Sequence, residues 1–216
     1  MTLKFHFHPL SSFCHKVLIA LYENGTLFEP VFVDLASPEE RATFQKLWPV
    51  GKMPVLEDDA RGHAVPESSI IIEYLARHYP GRVKLIPENS DRAWQARLQD
   101  RFYDLYLHMP MQEIVADRLR PKDQREPAAV ERARTRMRGS LDMIERDMQA
   151  RDWAAGDAFT IADCAAAPAL FYAGKVLPFR ETHPHAARYF DRLRERPSYA
   201  RVLKEAEPYL HLFPQE

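Results

Sequence analysis

Three short stretches in the first part of the chain carry residue types able to hold and activate a small charged ligand. The first, Ser11-Ser12-Phe13-Cys14, lies where a strand-like pattern gives way to a helical one. Backbone N–H groups without partners and the positive end of a helix dipole favour an anion at such a junction, and a thiolate suits it. The second is Gly51-Lys52-Met53-Pro54, running directly into Val55-Leu56. Pro54 directly precedes the strand, at its permitted first position, and suits a turn into that strand. With a cis Met53–Pro54 bond, the N–H and C=O of Met53 could pair with an extended peptide, although trans is the default because only about 5–6% of X–Pro bonds in folded proteins are cis. The third is Pro66-Glu67-Ser68-Ser69 at a helix start. There Ser68 and free amides suit a carboxylate, and Glu67 an ammonium group. A zwitterionic end, backbone pairing and a stabilised sulfur together imply a small thiol-bearing peptide.

These stretches need elements to position them. Leu3, Phe5 and Phe7 alternate with Lys4, His6 and His8, the period of a half-buried strand, and Pro9 ends it. Phe13 to Asn24 carries Val17, Leu18, Ala20 and Leu21 at helical spacing and stops at Asn24-Gly25, a C-terminal cap signal. Val31-Phe32-Val33 reads as the next strand, parallel to the first. Ser37-Pro38-Glu39-Glu40 opens a second helix that ends by Trp48-Pro49. Val55-Leu56 and His63-Ala64-Val65 form a hairpin, and Glu67 to His78 a third helix. Pro80 through Pro87 has linker composition, and every later periodic segment is helical. Trp94, Leu98, Phe102, Leu105 and Met109 mark one long helix; Val130, Ala133, Met137, Leu141, Ile144 and Met148 mark another. Thr160 and Asp163 form a shortened capping box, with Phe159 and Cys164 at the staple positions, ahead of a helix that Pro168 should kink. Further helices lie near Pro184 to Arg194 and Ser198 to Glu205.

Composition bounds the rest. The 216 residues can bury a core without staples, and 46% hydrophobic content with 7 Gly excludes disordered and collagen-like classes. Thirty Lys+Arg against 31 Asp+Glu leaves −1, so no global field draws the chain to nucleic acid or to anionic lipid. Cys14 and Cys164 are too few for a disulfide framework, which fits a reducing compartment. MTLKFHFHPL lacks a signal-peptide apolar region, and Cys164 to Ala173 is too short to span a bilayer, so the expectation is a cytoplasmic protein with no membrane partner.

In motif and order the chain resembles the soluble glutathione transferases, with a serine-type active site. Gly51-Lys52-Met53-Pro54-Val55-Leu56, Glu67-Ser68 and Phe159-Thr160-Ile161-Ala162-Asp163 are similar to that family's cis-proline segment, γ-glutamyl-binding pair and folding-critical cap. The resemblance implies an α/β thioredoxin-like N-terminal domain (1–80), a linker (81–87) and an all-α helical C-terminal domain (88–216). It implies glutathione as cosubstrate, no metal, a small hydrophobic electrophile and a homodimer with a detoxification role. By the same resemblance Ser11 donates a hydrogen bond to the thiolate, the Met53 backbone pairs with the cysteinyl unit beside Pro54, Glu67 and Ser68 hold the γ-glutamyl end, and Lys52 holds the glycyl carboxylate. Trp48 departs from the pattern, since many relatives have Asn before the Pro. A hydrogen bond to a charged group contributes roughly 1.5–3 kcal/mol and a helix N-terminus roughly 0.3–1, against about 1.36 kcal/mol per pKa unit. A thiol near ~8.5 would drop by roughly one to three units.

The electrophile should sit between the domains, with Leu10, Phe102, Tyr103, Tyr106 and Met109 as candidate walls. Simpler roles stand beside these. Ser11 could cap the first helix, Cys14 could face inward as a small apolar residue instead of acting in redox, and Glu67-Ser68 could be only a helix start. His6 and His8 share a strand face but have no third ligand at metal spacing. Arg118 to Arg138 holds eight basic and three acidic residues, a local +5. That segment keeps open a non-catalytic interaction module, while isomerase and disulfide-reductase chemistry remain open on the same fold.

Overall fold

The computed structural model describes residues 2–215. Strand β1 (Leu3–Phe7) buries Leu3 and Phe5, as alternation requires, and Phe7 packs at the margin of the same core. Helix α1 (Ser12–Asn24) ends on Gly25 in the left-handed region (φ 60), whose N–H closes on the last turn. Strand β2 is Glu29–Phe32, displaced toward the N-terminus from the Val31–Val33 run, because parallel pairing sets Lys4 opposite Glu29 and Phe7 opposite Phe32. Helix α2 (Pro38–Leu47) starts on Ser37, whose hydroxyl accepts from the Glu40 N–H. Strands β3 (Val55–Asp58) and β4 (His63–Pro66) form the expected antiparallel hairpin. The sheet order is β2-β1-β3-β4, with β1 and β3 antiparallel, and α3 (Ser68–His78) follows. Tyr74 and Tyr79 donate to Asp58 at 2.8 and 2.5 Å and tie α3 to β3. The fold is a thioredoxin-like α/β domain followed by a helical domain, as expected.

The helical half contains α4 (Ser90–Phe102), a π-helical stretch (Tyr103–His108) and α5 (Met109–Arg118), all in one continuous run. Helices α6 (Pro127–Asp147), α7 (Ile161–Val176), α8 (Pro184–Glu195) and α9 (Pro197–Ala206) complete it. The α7 capping box is present: Thr160 N donates to Asp163 Oδ2 at 2.8 Å and Ala162 N to Thr160 Oγ1 at 3.3 Å. Pro168 lies inside α7, whose buried alanines let α1 and α4 approach closely.

The face of the long helix is a correction. The stripe Trp94, Leu98, Phe102, Leu105 and Met109 locates the helix, but Trp94 and Leu98 are more than half exposed, and Leu105 and Met109 are exposed as well. The buried side is Ala93, Ala96, Asp100, Tyr103, Asp104, Leu107 and His108. Small side chains allow close packing there, and the two carboxylates are buried because a lysine from α1 meets them.

Candidate functional site

Ser11, Lys52, Met53, Pro54, Glu67 and Ser68 line a single cleft of about 370 Å³, together with Gly51 and with Arg101, Asp104, Leu105, Met109 and Gln112 from the helical domain. Phe13 and Leu35 complete the wall. Ser11 is the N-cap residue of α1, yet its hydroxyl makes no capping bond, so the simple capping role does not hold. Its N–H donates to His8 and its C=O accepts from His15, which pins its backbone at the cleft edge. No acidic residue occupies the first turn of α1, so the helix supplies no counter-charge of its own at its positive end.

The Met53–Pro54 bond is cis, contrary to the statistical default. Gly51 takes φ 68 to close a turn on Trp48, and a Cβ there would stand 3.1 Å from Gln45. Among the described residues no backbone hydrogen bond outside the regular elements involves Met53. Across the cleft Glu67 is the N-cap of α3 with φ 68 and ψ 117, a left-handed conformation for a residue with a Cβ. Such strain costs about 1–3 kcal/mol and concentrates at ligand sites. It turns the exposed Glu67 carboxylate and the buried Ser68 toward the same space.

A buried ionic cluster backs the cleft. Lys16 Nζ lies 2.6 Å from Asp100 Oδ1, 2.7 Å from Asp104 Oδ2 and 2.8 Å from Ser69 Oγ. Ser69 donates to Asp100 at 2.7 Å, and Arg101 reaches Asp104 at 3.2 Å from the cleft side. Burial holds the Asp104 carboxyl above the usual range, with Lys16 opposing. The cluster joins α1, the start of α3 and the α4 run, so the two domains meet directly behind Ser68.

Cys14 is fully buried, and burial pushes its thiol up to about 12 despite the nearby Ser11 hydroxyl. It packs as a small apolar residue within the core. Ser12 is also buried and bonds His108 Nε2 at 2.7 Å. No cluster of metal-ligating groups occurs among the described residues: His6 pairs with Glu57, and His8 stacks near Phe32 and Tyr209.

Of the residues expected to wall an electrophile site, only some line the cleft. Met109 lines the cleft. Phe102 and Tyr106 instead face a separate apolar groove shared with α6, which Leu105 reaches from the cleft side. Tyr103 is buried (1% exposed) and does not line the cleft. Leu10 lies outside the lining, its C=O accepting from Tyr172. The apolar stripe read from Trp94 runs along the exposed side of this helix, and Tyr103 belongs to the opposite, buried side with Ala96, Asp100 and Leu107, so an apolar pattern alone does not say which face meets the other domain. Phe13, Leu35, Leu105 and Gln112 were missed. For Phe13 the signal was its adjacency to Ser11; the others had none.

The Arg118–Arg138 charges are largely paired. Arg120 meets Glu126, Arg136 meets Glu113, and Arg138 meets Glu131 at 2.8 Å. No described helix is long and apolar enough to cross a membrane.

Comparison with known proteins follows the same division of the chain. Residues 5–83 match the model of the glutathione S-transferase N-terminal domain, and residues 103–197 that of the C-terminal domain. A glutathione S-transferase-like protein from Fusarium, LUC7, is 32% identical over 164 residues, 73% of this chain and 71% of that one. The crystal structure of a glutathione S-transferase from Methylobacterium radiotolerans in complex with glutathione sulfonate superposes with TM-score 0.81 at 32% identity, covering 94% of each chain. The Phanerochaete chrysosporium transferase URE2P6, in complex with oxidized glutathione, gives TM-score 0.85 at 25% identity over 96% and 97%.

Proposed function

This chain belongs to the glutathione S-transferase family, and on that footing we propose that it binds glutathione in the Ser11 cleft and activates its thiol for attack on a small hydrophobic electrophile. The observation that carries the reading is the shared cleft: Ser11 at the uncapped start of α1, Met53-Pro54 and Glu67-Ser68 line one space. Glutathione enters as an extended peptide. Its γ-glutamyl ammonium meets Glu67 and its α-carboxylate the Ser68 hydroxyl, the cysteinyl unit pairs with the Met53 backbone, and Lys52 meets the glycyl carboxylate. The sulfur then lies at the α1 terminus, where the Ser11 O–H donates to it.

The chemistry is thiol activation followed by substitution or addition. The thiol loses its proton to solvent because the anion is favoured by the hydroxyl donor and the helix end. The thiolate lone pair forms the C–S bond, and the displaced group leaves with its electron pair, or an added carbon takes a proton from water. Leu35, Phe13, Leu105 and Met109 supply the apolar wall that holds the electrophile.

We place the glutathione domain at 1–80, the linker at 81–87 and the helical domain at 88–216. A homodimer is supported by exposed Ile70, Trp94, Leu98 and Tyr106, each more than half open to solvent. Dependence on reduced glutathione and two buried free cysteines suit the cytoplasm and a detoxifying role. The buried, protonated Cys14 disfavours disulfide reduction through that thiol, and the paired arginines weaken the case for a non-catalytic interaction module.

Two measurements test this. Calorimetric titration with glutathione should show saturable binding, and the ultraviolet absorbance of the bound thiolate against pH should give a thiol pKa roughly one to three units below ~8.5. No heat, or an unshifted thiol in the saturated complex, would overturn the proposal.

A further inference from the structure

We propose that His108 is a positioning residue for the thiolate site: it holds Ser12 so that the Ser12 O–H becomes a second donor beside Ser11. The inference rests on the reading above. Ser12 is the first residue of α1 and His108 the last of the π-helical stretch; they come from opposite domains, with 8% and 2% exposure, and meet at 2.7 Å through Oγ and Nε2. Phe13, which lines the cleft, stands edge-on against the His108 ring at 4.9 Å between centroids.

The direction of the hydrogen bond follows from the other nitrogen. His108 Nδ1 is buried and has no partner among the described residues. An orphaned buried N–H donor is rarer than an under-satisfied acceptor, so the single proton of the neutral ring belongs on Nε2. Burial, helped by Lys16 and His15, pushes the imidazole down to about 3, which keeps it in that neutral form. Nε2–H therefore donates to Ser12 Oγ. The serine oxygen accepts, and its own proton is left to donate elsewhere.

Ser11 and Phe13, the residues on either side of Ser12, both line the cleft, so the first turn of α1 borders the space where negative sulfur would lie. A hydroxyl that accepts from an imidazole keeps its own proton free to donate, and a thiolate is the strongest acceptor that space receives. Ser12 is not part of the cleft lining itself, so in this proposal its O–H acts from just behind the lining residues Ser11 and Phe13.

The competing role is a staple that only joins the domains, and the test separates the two. Bound-thiol pKa, the pH profile of kcat/KM and urea stability are measured for Ser12→Ala, His108→Phe, His108→Gln and the Ser12→Ala/His108→Phe double variant. Positioning predicts that Ser12→Ala and His108→Phe each leave three- to tenfold less thiolate at a pH below the wild-type midpoint. It also predicts that the double variant is no worse than either single one, and that His108→Gln, whose amide can donate to Ser12, recovers most of the thiolate. Loss of stability with an unchanged thiol pKa in Ser12→Ala overturns the proposal, and this variant decides it even if His108→Phe does not fold. Additive effects in the double variant overturn it too. An unshifted thiol in the wild-type complex would sink both this inference and the glutathione reading, whereas a wild-type shift that Ser11→Ala removes and Ser12→Ala leaves intact would sink this inference alone.

Discussion

Lys16 and Asp100 face each other at 2.6 Å with side chains 1% and 2% exposed, one from the α/β domain and the other from the helical domain. Asp104 takes the same ammonium at 2.7 Å, so one cation serves two carboxylates, with Arg101 completing the charge from the cleft edge. Buried ion pairs add little over a well-packed apolar alternative, but breaking one side leaves charge stranded in low dielectric. Lys16→Met should lower stability by about 3–5 kcal/mol in urea unfolding, and Lys16→Met with Asp100→Leu and Asp104→Leu should recover much of that loss. A single variant as stable as the parent would show that the cluster is hydrated in solution.

Ser11→Ala separates binding from activation. Since the Ser11 hydroxyl caps nothing, stability should change by less than about 0.5 kcal/mol, while the bound thiol rises by roughly one to two pKa units and kcat at neutral pH falls accordingly. A thiol midpoint equal to wild type would remove Ser11 from the mechanism.

Glu67 offers a trade between strain and function. Glu67→Gly relieves a φ of 68 and should leave stability equal or raise it by about 1 kcal/mol, while weakening glutathione binding through loss of the carboxylate. Calorimetry and unfolding on the same sample check both, and unchanged affinity would take the ammonium away from Glu67.

The α7 cap is a separate hinge of stability. Thr160→Ala should cost about 0.5–2 kcal/mol. Asp163→Ala should cost more, because Asp163 also accepts from Ala154 N at 2.8 Å and Tyr189 Oη at 2.6 Å. Equal losses would mean that those two further bonds contribute nothing.

Acid should destabilise the fold through histidine. Burial pushes His15 down to about 4 and His108 down to about 3, whereas an unfolded imidazole titrates near ~6.5. The unfolded chain therefore binds more protons below about pH 6.5, so this contribution to stability is complete above that pH and is lost as pH falls toward 4. Each histidine adds a slope of up to about 1.4 kcal/mol per pH unit, and His15→Gln should remove one of the two from the urea midpoints between pH 6.5 and 5. An unaltered slope would show that His15 takes up its proton without unfolding.

Local signals in the chain determined the elements. Alternation at Leu3, Phe5 and Phe7 set β1, Asn24-Gly25 ended α1, Ser37-Pro38 and Thr160 with Asp163 started α2 and α7, and the three stretches that line the cleft were legible because each is contiguous. Caps, turns and periodicities act over a few residues, so their physics is written in neighbouring letters. Tertiary packing alone decided which side of α4 is covered, that Tyr103 sits in the core while Leu105 and Gln112 line the cleft, that Met53–Pro54 is cis, and that Ser12 meets His108 and Lys16 meets Asp100. An apolar stripe reports a preference for leaving water without naming what covers it. Contacts between residues some ninety positions apart depend on how two domains fill volume against each other, which no local pattern encodes.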